Sequence, residues 1–94
     1  MRVRTSLQAG EDLQEIFDYI SRDSPRNAHK VAERVIEAID SLGRLENRGR
    51  VGRIGGTLER VVPLTGCILV YRADEDEVVI VRVWRSARGA PSLT

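Results

Sequence analysis

Two apolar stripes of helical period meet at "DSP", residues 23–25. Ahead of the break, Ala9, Leu13, Ile16, Phe17 and Ile20 recur at helical spacing, which predicts a helix over about Gln8–Ser21 with one buried face. Ser6 is placed to cap it, and Glu11 and Asp12 near its start suit the helix dipole. After the break, Ser24 as N-cap with Pro25 in the first helical position is a strong start signal. Ala28, Val31, Ala32, Val35, Ile39 and Leu42 then form a second stripe, predicting a helix to about Leu42 or Leu45 that weakens at Gly43. Two amphipathic helices joined by a few residues form an antiparallel hairpin. Neither can stand alone, because each must bury its stripe against another layer.

The rest of the chain supplies that layer. "ENRGRVGRIGG" (46–56) has no apolar period and reads as a connector. Three strand-like runs follow, at 57–63, 67–72 and 77–84, separated by "LTG" and "ADED", both of hairpin length. "CILVY" is continuously apolar, as in a strand covered on both faces, and "RVRT" at 2–5 reads as a short first strand. The expected fold is α+β: an N-terminal strand, an antiparallel helical hairpin, then a three-stranded antiparallel meander completing one small sheet, in the order β-α-α-β-β-β. Residues 1–94 are expected to form a single domain.

The connector raises a question of its own. "GRVGRIGGTLERVV" (49–62) places glycines among arginines, as phosphate-wrapping loops do. Such loops follow a strand and open a helix, whereas this one follows a helix and opens a strand. Its glycines are therefore read as backbone freedom for a reversal, with Gly55-Gly56 turning into the strand. Arg48, Arg50, Arg53 and Arg60 remain either a solvated rim or an anion-facing patch.

Charge sharpens the second option. The net charge of +1 divides into −2 over residues 1–43 and +3 over residues 44–94, and arginine supplies fourteen of the fifteen cations. Arginine's planar fork suits carboxylate and phosphate partners, so the C-terminal half is expected to bind something anionic. Arg82, Arg85 and Arg88 flank Trp84 in "RVWRSAR", where an arginine stacked on the indole would give a flat cationic surface. Catalytic groups are scarce. His29 should face solvent, and Cys67 in an apolar strand reads as a small hydrophobe with no histidine nearby in sequence to activate it. One cysteine and one histidine offer no metal cluster, and no cofactor is expected. No run of ~18 apolar residues occurs, so no membrane span is expected, and a cysteine that cannot pair internally fits a reducing cytoplasm.

In order and spacing these segments resemble the ParE/RelE superfamily of type II toxins over nearly the whole chain. "EDLQEIFDYIS" looks like the first-helix signature and "VIEAIDSL" is similar to the second helix. Residues 49–88 are close to the ParE-type pattern of Gly-Arg-x-Gly, Gly-Thr-x-Glu, a Val-Tyr-Arg strand and a last strand running into a basic segment. The resemblance implies a growth inhibitor, of the kind that stabilises plasmids, held inactive in a hetero-oligomer with a cognate ParD-like antitoxin. ParE-type members poison DNA gyrase, whereas RelE-type members cleave messenger RNA on the ribosome.

The same comparison speaks to that division. By spacing, the RelE-type second-strand cations fall on Glu59 and Val61, and the third-strand arginine falls on Ile68. The arginine after the last strand is kept as Arg88, but only "GAPSLT" follows it, without a proton-transfer group. A carboxylate at Glu59 is expected to repel a phosphate. The resemblance therefore implies a non-enzymatic gyrase inhibitor. Its alternatives are a ribosome-dependent mRNA interferase, using arginines such as Arg60, Arg72 and Arg88, and a non-toxic antitoxin-binding member of the fold. Arg50, Arg53, Arg60, Arg85 and Arg88 are the candidate target-binding residues. Arg82, Trp84, Arg85 and Arg88 are the candidate antitoxin-binding residues.

Overall fold

A computed structural model describes residues 2–44 and 49–85. The elements run β1 (Arg2–Thr5), α1 (Leu7–Asp23), α2 (Pro25–Leu42), β2 (Arg50–Val51), β3 (Leu58–Val62), β4 (Cys67–Ala73) and β5 (Glu77–Arg85). The expected order is borne out, with one strand more: β2, two residues long, lies inside the stretch read as a pure connector.

Both helix starts follow their caps. The Ser6 hydroxyl accepts from the Ala9 N–H at 3.1 Å, and the Ser24 hydroxyl accepts from the Asn27 N–H at 3.0 Å. Each satisfies an amide with no partner in its own helix, worth about 1 kcal/mol. Because α1 opens at Leu7, Glu11 and Asp12 lie beyond its first turn, and the expected dipole role does not hold.

The five strands form one sheet in the order β1-β5-β4-β3-β2. β3, β4 and β5 make the expected antiparallel meander. The sheet as a whole is mixed, because β1 pairs in parallel with β5, Arg2 opposite Glu77 through Thr5 opposite Ile80. That geometry follows from the chain path: after β1 the helical hairpin and three strands intervene before β5 arrives beside it, so no tight turn dictates an antiparallel partner.

Both helices lie on one face of the sheet. Ala9, Ile20, Val31, Val35, Ala38 and Leu42 pack with Cys67, Leu69, Tyr71, Ile80 and Val83 in one core. Alternation along the strands assigns the faces. Leu58 and Val62 of β3 belong to the helix-side core, so Glu59 and Val61 lie on the opposite face, with Ile68 beside Val61 and Val70 beside Glu59. A register shift at Val70/Tyr71 resets β5, so that Ile80 and Val83 both reach the core.

Candidate interaction site

The connector packs on β3 rather than arching away from it. Glu59 is 2% exposed although its strand face carries no helix. Its carboxylate accepts from Arg50 Nε at 3.3 Å, from Arg50 Nη2 at 3.2 Å and from the Arg53 N–H at 3.0 Å. Arg53 Nε stands 3.9 Å from Oε2, the oxygen that accepts the Arg53 N–H. Burying an isolated carboxylate is costly, and these donors are what make it tolerable. Gly49 is needed here because a Cβ would strike the Glu59 carbonyl, and its N–H donates to the Tyr71 hydroxyl at 2.7 Å. Gly56, at φ +79°, makes the expected turn into β3. The glycines are thus a close-packed connector, and Arg50 and Arg53 are internal partners of an acid.

This separates the candidate target-binding residues. Arg50 and Arg53 meet at Glu59. Arg60, the next residue in the strand, lies on the helix side and lines a groove with Arg34 and Glu37 of α2 and with Arg44 just past its end. Arg85 stands at the far end of β5, its Nε donating to the Thr65 carbonyl at 3.2 Å. Arg48 and Arg88 fall outside the described residues.

The C-terminal candidates are distributed as follows. Arg82 is committed within the fold: its Nε and Nη2 donate to Asp12 of α1 at 2.8 and 3.1 Å, and the same carboxylate accepts the Val83 N–H at 2.9 Å. Asp12 holds its guanidinium still more firmly protonated, chiefly by hydrogen bonding. The guanidinium that could have stacked on the indole is therefore on a carboxylate. Trp84 is half-buried opposite Ile68. β1 ends beside Ile80, so β5 continues past it with an open edge, and α1 closes that edge: the Ser6 N–H donates to the Ile80 carbonyl at 2.9 Å and its hydroxyl to the Val81 carbonyl at 3.2 Å. Beyond Asp12 the edge opens into a groove of about 400 Å³ lined by Glu15, Ile16, Tyr19, Arg22 and Arg85. Its exposed tyrosine, the aliphatic Ile16 and two cations beside the acid Glu15 are the features of a protein-binding groove.

Chemistry of other kinds finds little support. Cys67 is fully buried, and burial pushes its thiol above the ordinary value, so it is a poor nucleophile. His29 is exposed beside Glu33 at 3.4 Å. Among the described residues no group of His, Cys, Asp and Glu is arranged to hold a metal, and no helix is long and apolar enough to cross a membrane. Glu59, Val61 and Ile68 offer neither a free cation nor a proton carrier, but the repulsion expected from Glu59 is muted, since its charge is already met by arginines.

Sequence reasoning missed the Asp12 clasp and the Glu59 cluster. The available signal for the second was an acid inside an apolar strand, nine and six residues downstream of Arg50 and Arg53. The clasp had no local signal, because seventy residues separate Asp12 from Arg82.

Residues 3–89 match the family described as ParE toxin of the type II toxin–antitoxin system parDE. The chain is 37% identical over 79 residues to a protein of Sinorhizobium fredii that carries the name toxin Y4kP, covering 84% of this chain and 82% of that one. It is 36% identical over 77 residues to toxin RelE2 of Caulobacter vibrioides, covering 82% and 85%. A structure of the chromosomal ParDE system from P. aeruginosa superposes with a TM-score of 0.80 at 23% identity, over 90% of this chain and 95% of the other, which is a likeness of fold. The chain belongs to the ParE toxin family of type II toxin–antitoxin systems, within the ParE/RelE superfamily.

Proposed function

We propose that this toxin acts by binding DNA gyrase and is neutralised by a cognate ParD-like antitoxin in a hetero-oligomer, without catalysing a reaction itself. The observation that carries the first part is the open face of the sheet. Cutting RNA through its 2′-hydroxyl needs a proton acceptor and cations around the reacting phosphate. At the three positions where the nuclease branch keeps such groups, Glu59 is sealed under its own arginines, and Val61 and Ile68 are aliphatic.

For the antitoxin, the α1–β5 groove is the supporting feature. Tyr19 and Ile16 offer apolar contact, and Arg22 and Arg85 in its lining suit acidic side chains. A disordered acidic segment that folds on binding suits this mixture. The name of the Caulobacter relative, toxin RelE2, favours a second reading, ribosome-dependent mRNA cleavage by arginines such as Arg60 and Arg72.

Induced expression with parallel readouts tests the choice. The gyrase reading expects a DNA-damage response and filamentous cells while translation continues. Immediate arrest of translation with intact DNA would replace it with the nuclease reading.

A further inference from the structure

The turn joining β3 to β4 holds a leucine in an unfavourable place. Leu64 has φ +65° and is 82% exposed. An exposed leucine is ordinary by itself. A leucine in the left-handed region is not, because its Cβ crowds the following carbonyl oxygen, and turns reserve such positions for Gly, Asn or Asp. The same turn places Gly66 at its other positive φ, +75°. The backbone around Leu64 is pinned from several sides. The buried Thr65 hydroxyl donates to the Val62 carbonyl at 2.8 Å and accepts from the Cys67 N–H at 2.9 Å. Arg85 holds the Thr65 carbonyl. Strain kept in place by surrounding bonds marks a residue chosen for something other than stability.

What lies beside it indicates the use. Pro63, next to Leu64, lines a groove of about 460 Å³ between α2 and β3 together with Arg34, Arg44, Arg60 and the acid Glu37, and Arg44 also pairs with Asp40 at 3.4 Å. An exposed apolar side chain on a pinned turn, one residue on from the Pro63 that shares a groove with guanidinium groups, complements an apolar pocket rimmed by carboxylates. Nucleic-acid phosphates would use the arginines but gain nothing from Leu64. The groove opens between α2 and β3, apart from the one between α1 and β5. Building on the toxin reading above, we propose that Leu64, with the Arg34–Arg60 groove beside it, is the surface by which this protein grips an acidic face of its protein target.

Two substitutions at one position separate strain from contact. Leu64→Asn relieves the left-handed conformation and removes the apolar tip. Its Tm should rise by about 4–8 °C, while the dose needed for growth arrest rises at least roughly tenfold. Leu64→Ala keeps the crowded Cβ, so it should lose growth arrest to the same degree with its Tm nearly unchanged. Arg34→Glu, on the exposed face of α2, should weaken arrest without lowering Tm. If both Leu64 variants arrest growth as the wild type does, the surface is wrong while the toxin reading stands. A lowered Tm for Leu64→Asn would overturn the strain argument on which the surface rests. Full toxicity of the Leu64 variants, with Arg34→Glu losing affinity for a random-sequence DNA duplex, would reassign the groove to nucleic acid. A wild-type chain that leaves growth untouched would overturn the toxin reading, and this surface with it.

Discussion

Arg50 reaches across from β2 to hold the carboxylate of Glu59 on β3 with two hydrogen bonds, at 3.3 and 3.2 Å. The acid is buried and the base is half in solvent, so the pair is asymmetric. Its value lies in what its loss would leave behind, a carboxylate sealed away from water with too few donors.

Changing Arg50 and Arg53 together to alanine should therefore destabilise the fold. Only the Arg53 N–H would remain on the Glu59 carboxylate, and a loss of about 1–3 kcal/mol is expected. Thermal unfolding with and without Glu59→Gln checks the cause. The neutral amide should restore part of the loss in the double-alanine background, because it is less costly to bury than an unpaired charge.

Asp12 predicts a second stability effect, on the other side of the molecule. Its carboxylate serves Arg82 twice and the Val83 N–H once. Asp12→Ala leaves that edge amide and a half-buried guanidinium without their acceptor, for a loss of about 2–3 kcal/mol. Asp12→Asn keeps one acceptor oxygen and should lose about 1 kcal/mol. Urea midpoints of the two variants, compared with the wild type, give the ordering.

The β4–β5 turn should loosen in acid. Asp74 accepts from the Glu77 and Asp76 N–H groups at 2.9 and 2.8 Å, and these bonds lower its pKa from the ordinary 3.8. A depressed folded-state pKa means stabilisation that is present above the ordinary value and lost as pH falls through the lower one. Amide exchange at Asp76 and Glu77 should lose protection across that window after correction for intrinsic rates. Asp74→Ala should abolish the transition and leave both amides poorly protected above it.

Much of this architecture is legible in the sequence because its determinants are local. Ser6, Ser24 and Pro25 mark their helix starts within a residue or two, and apolar period separates helices from strands. The parallel pairing of β1 with β5 is not local, since it depends on where the chain returns after about seventy residues. The same limit hid the Asp12 clasp. Arg50 and Arg53 were visible as cations, but sequence alone gives a charged side chain no direction, and the close packing allowed by Gly49 turned them inward on Glu59. Leu64 shows the converse: nothing in "PLTG" says which residue takes the left-handed position, and the structure assigns it to Leu64 as well as Gly66.

The function proposed above has this toxin stalling gyrase and cutting no RNA. Purified protein added to purified gyrase on relaxed plasmid DNA, with ATP, tests it most directly. The account predicts blocked supercoiling and accumulation of linear plasmid, as gyrase is held on cleaved DNA. Unimpaired supercoiling with no linear product, at toxin concentrations that halt a translating extract and leave cuts at ribosomal A-site codons, would contradict it.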